Sequence, residues 1–253
     1  MEEHGVSVRA TRRSLEIIDA LRRLDGAGVT EVAGDLDLPK STVHNHLRTL
    51  YDQEYVVKDG DEYDVGLRFL ELGEYSRNRL QSYETALPEV EKVAAQTGEL
   101  VNVGVEEYGQ GVYLYLASGE GAVCLDTDAG LRVSLHCTAF GKAILAHLSR
   151  DRLEVILDER GLPRRTDQTI TDRAELEEEL ETIRERGYAY DHGERLPGLR
   201  CVAAPVTTPD GEVVCAISVS GPTSRMQGKR FHEEVPDLLL DAANVVELNA
   251  AYS

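Results

Sequence analysis

At 253 residues the chain can bury either one large core or a small and a medium one. Its net charge of −19, from 27 basic and 46 acidic residues, argues against a partner held by charge alone. Four widely spaced cysteines without a CxxC pair imply neither a disulfide framework nor a zinc ribbon, and no apolar run approaches the roughly 20 residues of a membrane span. The acidic start MEEHG is no signal peptide, so a cytoplasmic location with reduced thiols is expected, and no metal or cofactor is implied.

Only Lys40, Lys58, Lys92, Lys142 and Lys229 are lysines; Trp is missing and Phe occurs three times. That composition resembles the proteins of salt-in halophiles, in whose brine the Debye length falls to about 3 Å. Acidity then describes the solvent more than the ligand, and any DNA contact must rest on short-range fit.

In chain order, Leu15, Ile18, Leu21 and Leu24 mark a first helical face after Thr11 or Ser14 as cap, ended by Gly26 and Gly28. Thr30 caps a short second helix burying Val32, Ala33 and Leu36, and Asp37-Leu38 turns the chain before Pro39. A third helix turns Val43, Leu47 and Leu50 inward and leaves Ser41, Thr42, Asn45, His46 and Thr49 outward, a small, polar, hydrogen-bonding face. Two β runs then flank Asp59-Gly60, a strong hairpin signal. Three helices and a hairpin are the order of a winged helix-turn-helix. Residues 1–80 carry 11 basic and 16 acidic residues, yet Arg9, Arg12 and Arg13 form an acid-free cluster and the third helix adds Lys40 and Arg48. Asn pairs bidentately with adenine, while Ser, Thr and His reach base edges or phosphates. The expected DNA-facing set is Arg12, Arg13, Lys40, Ser41, Thr42, Asn45, His46 and Arg48, with Lys58 on the hairpin.

A helix over 67–82 with Leu67, Leu70, Leu72 and Tyr75 on an apolar side reads as a linker with a dimer face. The second half opens with a helix over 87–97 stopped by Gly98, then strands at 100–106, 112–117 and 122–126. The stretch 136–146, HCTAFGKAILA, is expected to turn from a strand end into a helix. Its Gly-Lys pair is not a P-loop, which needs Gly and Ser or Thr where His136 and Ala143 stand. Two acidic helices follow (150–158 and 172–186), then strands at 188–191, 201–207 and 213–220, the last two joined by Pro209-Asp-Gly211, and a closing helix at 231–249. Hairpins flanked by helices give an α+β fold on a mostly antiparallel sheet.

These motifs together resemble the IclR family of transcriptional regulators. The likeness is carried by the N-terminal trihelical segment with its hairpin, HCTAFGKAILA, Arg186-Gly-Tyr-Ala-Tyr-Asp191, Gly198-Leu-Arg-Cys-Val-Ala-Ala-Pro-Val206, and Ile217-Ser-Val-Ser-Gly-Pro222 with Arg225 after it. The resemblance runs from about Val8 to Ala250. It implies a winged helix-turn-helix at 1–66, a linker helix at 67–82 and a GAF-like effector-binding domain at 83–253. It also implies homodimers, often paired into homotetramers, on a palindromic double-stranded operator, answering to a small effector. Carried over residue by residue, the effector pocket falls on Ala139, Phe140, Asp191, Cys201, Ser218 and Ser220. Phe140 departs from the family, which usually has a small residue there. The backbone amides of Ala139 to Gly141, at a helix start, suit a carboxylate, so a small organic or sugar acid from a catabolic pathway is the expected effector.

Plainer readings stand beside these. Asp191 could cap a turn with Gly193, Cys201 could be a small buried hydrophobe, Lys142 a solvated helix residue and Glu177 to Glu179 a solvated acidic face. A thiol hydrolase built on Cys201, His136 and Asp191, zinc on His136, Cys137 and Cys201, and a redox switch at Cys137 stay open as rival chemistries.

Overall fold

Helix α1 (Arg9–Leu24) turns Ile17, Ala20 and Leu21 inward, while Leu15 and Leu24, expected on the buried stripe, are exposed. The face is rotated because Ser14 is hydrogen-bonded to His46 at 2.9 Å, which sets α1 against helix α3 (Lys40–Asp52) along the Ser14 side. The helix starts with Val8 as N-cap, and neither Thr11 nor Ser14 caps it. Helix α2 (Val29–Asp35) likewise dispenses with Thr30: Gly28 is its N-cap, and the Glu31 carboxylate accepts from the Gly28 N–H at 2.9 Å. α3 buries Val43, Leu47 and Leu50 as its spacing predicts. A three-stranded sheet of order β1-β3-β2 completes this unit, with β1 at Ala27–Gly28, β2 at Val56–Asp59 and β3 at Glu62–Val65. The hairpin loop is Gly60-Asp61, one residue later than the Asp59-Gly60 signal, and Gly60 takes the positive φ of 59° at its first position. Asp25, Asp37 and Glu54 hold left-handed backbone at φ 55°, 50° and 63°.

The computed structural model describes residues 8–125 and 127–251, and the chain divides into two units between Ser76 and Arg77. Helix α4 (Arg68–Asn78) spans that division and buries none of its residues; Leu70 and Tyr75 are exposed, as is Leu67 just before it. The single linker helix expected over 67–82 is two helices: α4 stops at Asn78, and α5 (Gln81–Thr97) begins six residues before the predicted start at 87. Gly98 ends α5 in the left-handed region at φ 69°.

The second unit is built on a six-stranded antiparallel sheet, β6-β5-β4-β9-β8-β7. Its strands are β4 (Leu100–Glu107), β5 (Gln110–Ser118), β6 (Arg132–Val133), β7 (Ala189–Asp191), β8 (Leu199–Thr207) and β9 (Val213–Pro222). Alternation along the strands separates two faces. Val101, Val103, Val202, Ala204, Ile217 and Val219 pack beneath α5 and the closing helix α9 (Val235–Ala251). The opposite face carries Cys201, Ala203 and Ala216 against helix α6 (Ala139–Leu145), backed by α7 (Arg150–Arg160) and α8 (Arg173–Arg186).

The strand expected at 122–126 is not formed over 122–125, and Asp126 lies outside the described residues. The backbone before it is committed elsewhere: Gly119 N–H donates to Glu99 O and Gly121 N–H to Gly98 O, so the edge beside β5 is left to β6. Nor does a strand lead into α6. A 3-10 turn (Leu135–Cys137) precedes it, and Thr138 caps the helix by accepting from Gly141 N–H at 3.1 Å. A Cβ on Gly141 would lie 2.2 Å from the Leu135 carbonyl oxygen, so this glycine lets the helix sit directly on its own turn.

Phe140 projects from α6 onto two glycines of the sheet. A Cβ on Gly104 would fall 2.3 Å from its ring and one on Gly111 2.7 Å. The large residue on the helix is thus matched by two missing side chains beneath it. Gly104→Ala is expected to destabilise the second unit by about 1–3 kcal/mol, the usual cost of overpacking. Pairing it with Phe140→Leu should recover most of the loss, as followed by thermal denaturation.

Candidate functional site

Two surfaces emerge, one in each unit. On α3 the exposed residues are Lys40, Ser41, His44, Asn45, Arg48 and Thr49, followed by Tyr51 and Asp52 at its end, with Thr42 half-buried at the edge. His46 does not share this face. Its ring turns to α1 and bonds Ser14, because His46 lies three residues after buried Val43 and four before buried Leu50, beside the packed face of the helix. His44 takes its place: it is i+3 from Ser41 and one turn before Arg48, a spacing that was readable in the sequence. Arg48 is only loosely paired with Asp52, at 3.9 Å, and stays largely exposed. Arg12 and Arg13 both approach Glu16, at 3.7 and 3.0 Å, and Lys58 lies over the Tyr63 ring on the hairpin.

In the second unit one small, largely enclosed cavity, of about 10 Å³, is walled by Ala139, Phe140, Asp191, Cys201, Ser218 and Ser220 together. Strand register explains the convergence. Asn102 stands opposite Ser218 and Leu100 opposite Ser220 across β4 and β9, while Cys201 faces Ser220 and Asp191 across β8. The same cavity gathers polar residues that the sequence reading passed over: Asn102, Tyr113, Thr127 and Arg195. Asn102 was visible as a polar residue in the apolar run Leu-Val-Asn-Val-Gly-Val, and its Oδ1 is buried with no hydrogen-bond donor. Arg195 Nη1 reaches the Tyr113 hydroxyl at 3.5 Å and Thr127 Oγ1 at 3.4 Å, which aims a cation across the cavity mouth. Burial pushes the Tyr113 phenol up, so it stays a neutral donor.

Asp191 combines both readings open to it. It lines the cavity, and its Oδ1 accepts from Gly193 N–H at 2.9 Å and Glu194 N–H at 2.6 Å, closing the turn after β7. Burial first, then the neighbouring Glu194 carboxylate, pushes it up from 3.8 to about 7. Glu194 is itself raised by burial and is held by Lys142. Lys142 is neither solvated nor a cavity residue: it is 1% exposed, with Nζ 2.5 Å from Glu194 Oε1 and 3.9 Å from Glu179. Glu179 in turn pairs with Arg186 and Glu177 with Arg173, so the 177–179 run is a solvated face only at Glu178.

The amide site at the start of α6 is partly spent, since Gly141 N–H is capped by Thr138. The loop leading toward the cavity is tethered by Glu99, which is 1% exposed and accepts two bonds from Arg225, at 2.7 and 2.6 Å; Arg225 also donates to Gly121 O. Rival chemistries lose their footing here. Burial pushes the Cys137 thiol to about 11 and holds Cys201 well above the thiol range, so neither is a thiolate at neutral pH. His136 bonds the Pro163 carbonyl and lines a different cleft. Among the described residues no group of three His, Cys, Asp or Glu side chains is placed to hold a metal ion.

Residues 10–60 match the IclR helix-turn-helix domain, and residues 77–248 match the family described as bacterial transcriptional regulator IclR, C-terminal. The chain belongs to the IclR family. BhcR, an HTH-type transcriptional regulator of Paracoccus denitrificans, is 36% identical over 98% of this chain and 90% of its own. A Halobacterium salinarum protein named "Probable HTH-type transcriptional regulator ArcR" is 33% identical over 95% of this chain and 93% of its own. The crystal structure of Thermotoga maritima IclR superposes with a TM-score of 0.81 at 28% identity, covering 96% of this chain and 98% of that one. This IclR-family chain is therefore a DNA-binding transcriptional regulator, and its family and relatives are regulators, not enzymes. Among the described residues no helix is long and apolar enough to cross a membrane.

Two outcomes test the buried charges. Lys142→Met leaves Glu194 uncompensated and should cost about 3–5 kcal/mol, with part recovered by adding Glu194→Gln. Because Asp191 holds its proton more tightly folded than unfolded, its contribution is fully present below about pH 4 and is lost as pH rises through about 7. Asp191→Asn keeps the turn-closing oxygen and should flatten that decline in a series of melting temperatures.

Proposed function

We propose that the chain is a cytoplasmic regulator of a catabolic pathway whose effector is a small hydroxy acid or sugar acid bound in the sheet cavity. The observation that carries this reading is the pairing of Arg195 with the orphaned Asn102 oxygen across one cavity. Arg195 suits a carboxylate. Asn102 Oδ1 lacks a donor that a ligand hydroxyl would supply, and Ser218 and Ser220, two apart on β9 and therefore on one face, complete the polar wall. Phe140 and Cys201 give the rest an apolar lining.

The cavity has room for about one water molecule. Entry of a metabolite therefore displaces Leu125, Thr127 and Arg195 from the cavity wall. That displacement is the signal in the proposed mechanism. The chain works as a homodimer, or as a dimer of dimers, with α4 as the linker between a DNA-binding domain at 1–66 and an effector domain from residue 83. Two copies of α3 read a palindromic site: Asn45 and Ser41 face base edges, while Lys40, Arg48, Arg12, Arg13 and Lys58 face phosphates. Coupling of this kind between effector and operator is typically about 1–3 kcal/mol. The acidic composition and the Halobacterium salinarum relative support a salt-adapted protein.

Asn45→Ala and Arg48→Ala should weaken operator binding in mobility-shift assays at high salt while effector affinity stays unchanged. Unaltered operator affinity in both variants would sink the assignment of α3. In the cavity, Ser218→Ala with Ser220→Ala should abolish the ligand response without loss of DNA binding. Arg195→Gln should weaken a sugar-acid effector by about tenfold or more, the weight of a charge-assisted hydrogen bond. A thermal-shift screen of sugar, keto and aromatic acids supplies the ligand for both measurements.

A further inference from the structure

The 3-10 turn that leads into α6 separates two hollows. Thr138, Ala139 and Phe140 line the effector cavity, while Ser134, Leu135 and His136, immediately before them, line a second cleft of about 210 Å³. This second cleft is much the roomier. The cleft's exposed surface is more polar than apolar, with a small apolar patch in its floor made by the half-buried Leu162 and the edges of the nearly buried Leu135, Ile156 and Leu157. Its rim is cationic: Arg160, the last residue of α7, and Arg165 both face it.

The two arginines are differently prepared. Arg160 donates from Nε and Nη2 to the Tyr108 carbonyl, at 3.0 and 2.5 Å, which fixes its guanidinium over the turn between β4 and β5. Its Nη1 makes no hydrogen bond among the described residues. Arg165 is exposed and forms no ion pair among the described residues, although acidic residues outnumber basic ones by 46 to 27 in this chain. Neighbouring Arg164, by contrast, donates to Thr171. His136 adds no competing charge, since burial, then the nearby Arg165, lowers its proton affinity and keeps it neutral.

We propose that this cleft is a second ligand site that takes a small amphipathic carboxylate, its apolar body on the leucine and isoleucine patch and its carboxylate between Arg160 and Arg165. The volume lies below the roughly 300–1,000 Å³ of drug-sized sites and suits an acid of one ring or a short chain. A planar guanidinium pair favours a carboxylate geometrically as well as by charge. Occupancy bears on the same turn that presents Thr138, Ala139 and Phe140 to the effector cavity, so the two sites share a wall.

Benzoate, titrated calorimetrically into the full chain, is the probe, with inorganic phosphate as an anion that lacks the apolar body. The expected result is a saturable benzoate site that survives Arg195→Gln and is weakened by about tenfold or more in Arg165→Gln. Arg165 carries no structural bond from its guanidinium among the described residues, so an unchanged melting temperature will show that the variant is folded. Arg160→Gln should give the same loss, and phosphate should bind far more weakly than benzoate. Benzoate binding unaffected by Arg165→Gln, binding lost in Arg195→Gln alone, no saturable uptake, or equal affinity for phosphate would each overturn the proposal. The operator and Ser218/Ser220 experiments do not touch this cleft, so failure here leaves the proposed function to stand or fall separately.

Discussion

An ammonium group taken almost wholly out of water must be neutralised where it stands, and in this chain Lys142 is neutralised by Glu194. The pair joins α6 to the loop between β7 and β8. On the helix side it fixes the register that places Ala139 and Phe140 in the cavity wall. On the loop side it holds the residue between Asp191 and Arg195 whose own N–H closes on the Asp191 carboxylate. Thr166 and Thr169 add hydroxyl donors to the Glu194 carbonyl, so this loop is tied from three directions. A cation is thereby presented to the cavity on a segment with no regular secondary structure. The buried pair is costly to form and more costly to break on one side, which makes it a better device for fixing geometry than for adding stability.

The sheet divides labour between its faces. Beneath α5 and α9 the strands contribute valine, isoleucine and alanine to an apolar layer, while the other face admits Asn102, Ser218 and Ser220 into a nearly closed space. Period-two alternation lets both occur on the same strands without compromising either. Phe140 then occupies volume vacated by Gly104 and Gly111, which leaves the remaining hollow polar and small. A residue that reads as a departure from its family is therefore a packing solution complete within this one sequence.

Much of this was legible beforehand, for identifiable reasons. Helix cores with clear spacing, such as Val43, Leu47 and Leu50, and strands bounded by turn residues, such as β8 and β9, follow from periodicity and were placed to within a few residues. What local pattern could not supply was the competition among backbone groups and the distant partner. The 122–126 segment alternates like a strand, yet the chain just before it has its amides engaged by Gly98 and Glu99. Lys142 looks solvated in a sequence because its partner stands 52 residues away. Arg195 escaped notice in a loop with no repeating pattern, whereas Asn102 stood out as the polar residue of an apolar strand but gained a role only once β9 brought Ser218 opposite it. His46 was misplaced by a fraction of a helical turn, and one hydrogen bond to Ser14 decided its direction.

The left-handed residues of the first unit carry a last consequence. Where α5 and α8 end on Gly98 and Gly187, α1 ends on Asp25, and Asp37 and Glu54 take the same backbone region in the turns that follow α2 and α3. For residues with a side chain that region costs about 1–2 kcal/mol, somewhat relieved for Asp by local hydrogen bonding. Surface charge and chain reversal are therefore the same residues here. Glycine or asparagine could take these corners without the charge, whereas a β-branched residue would strain them, so the identity of each corner is set by backbone as well as by solvent.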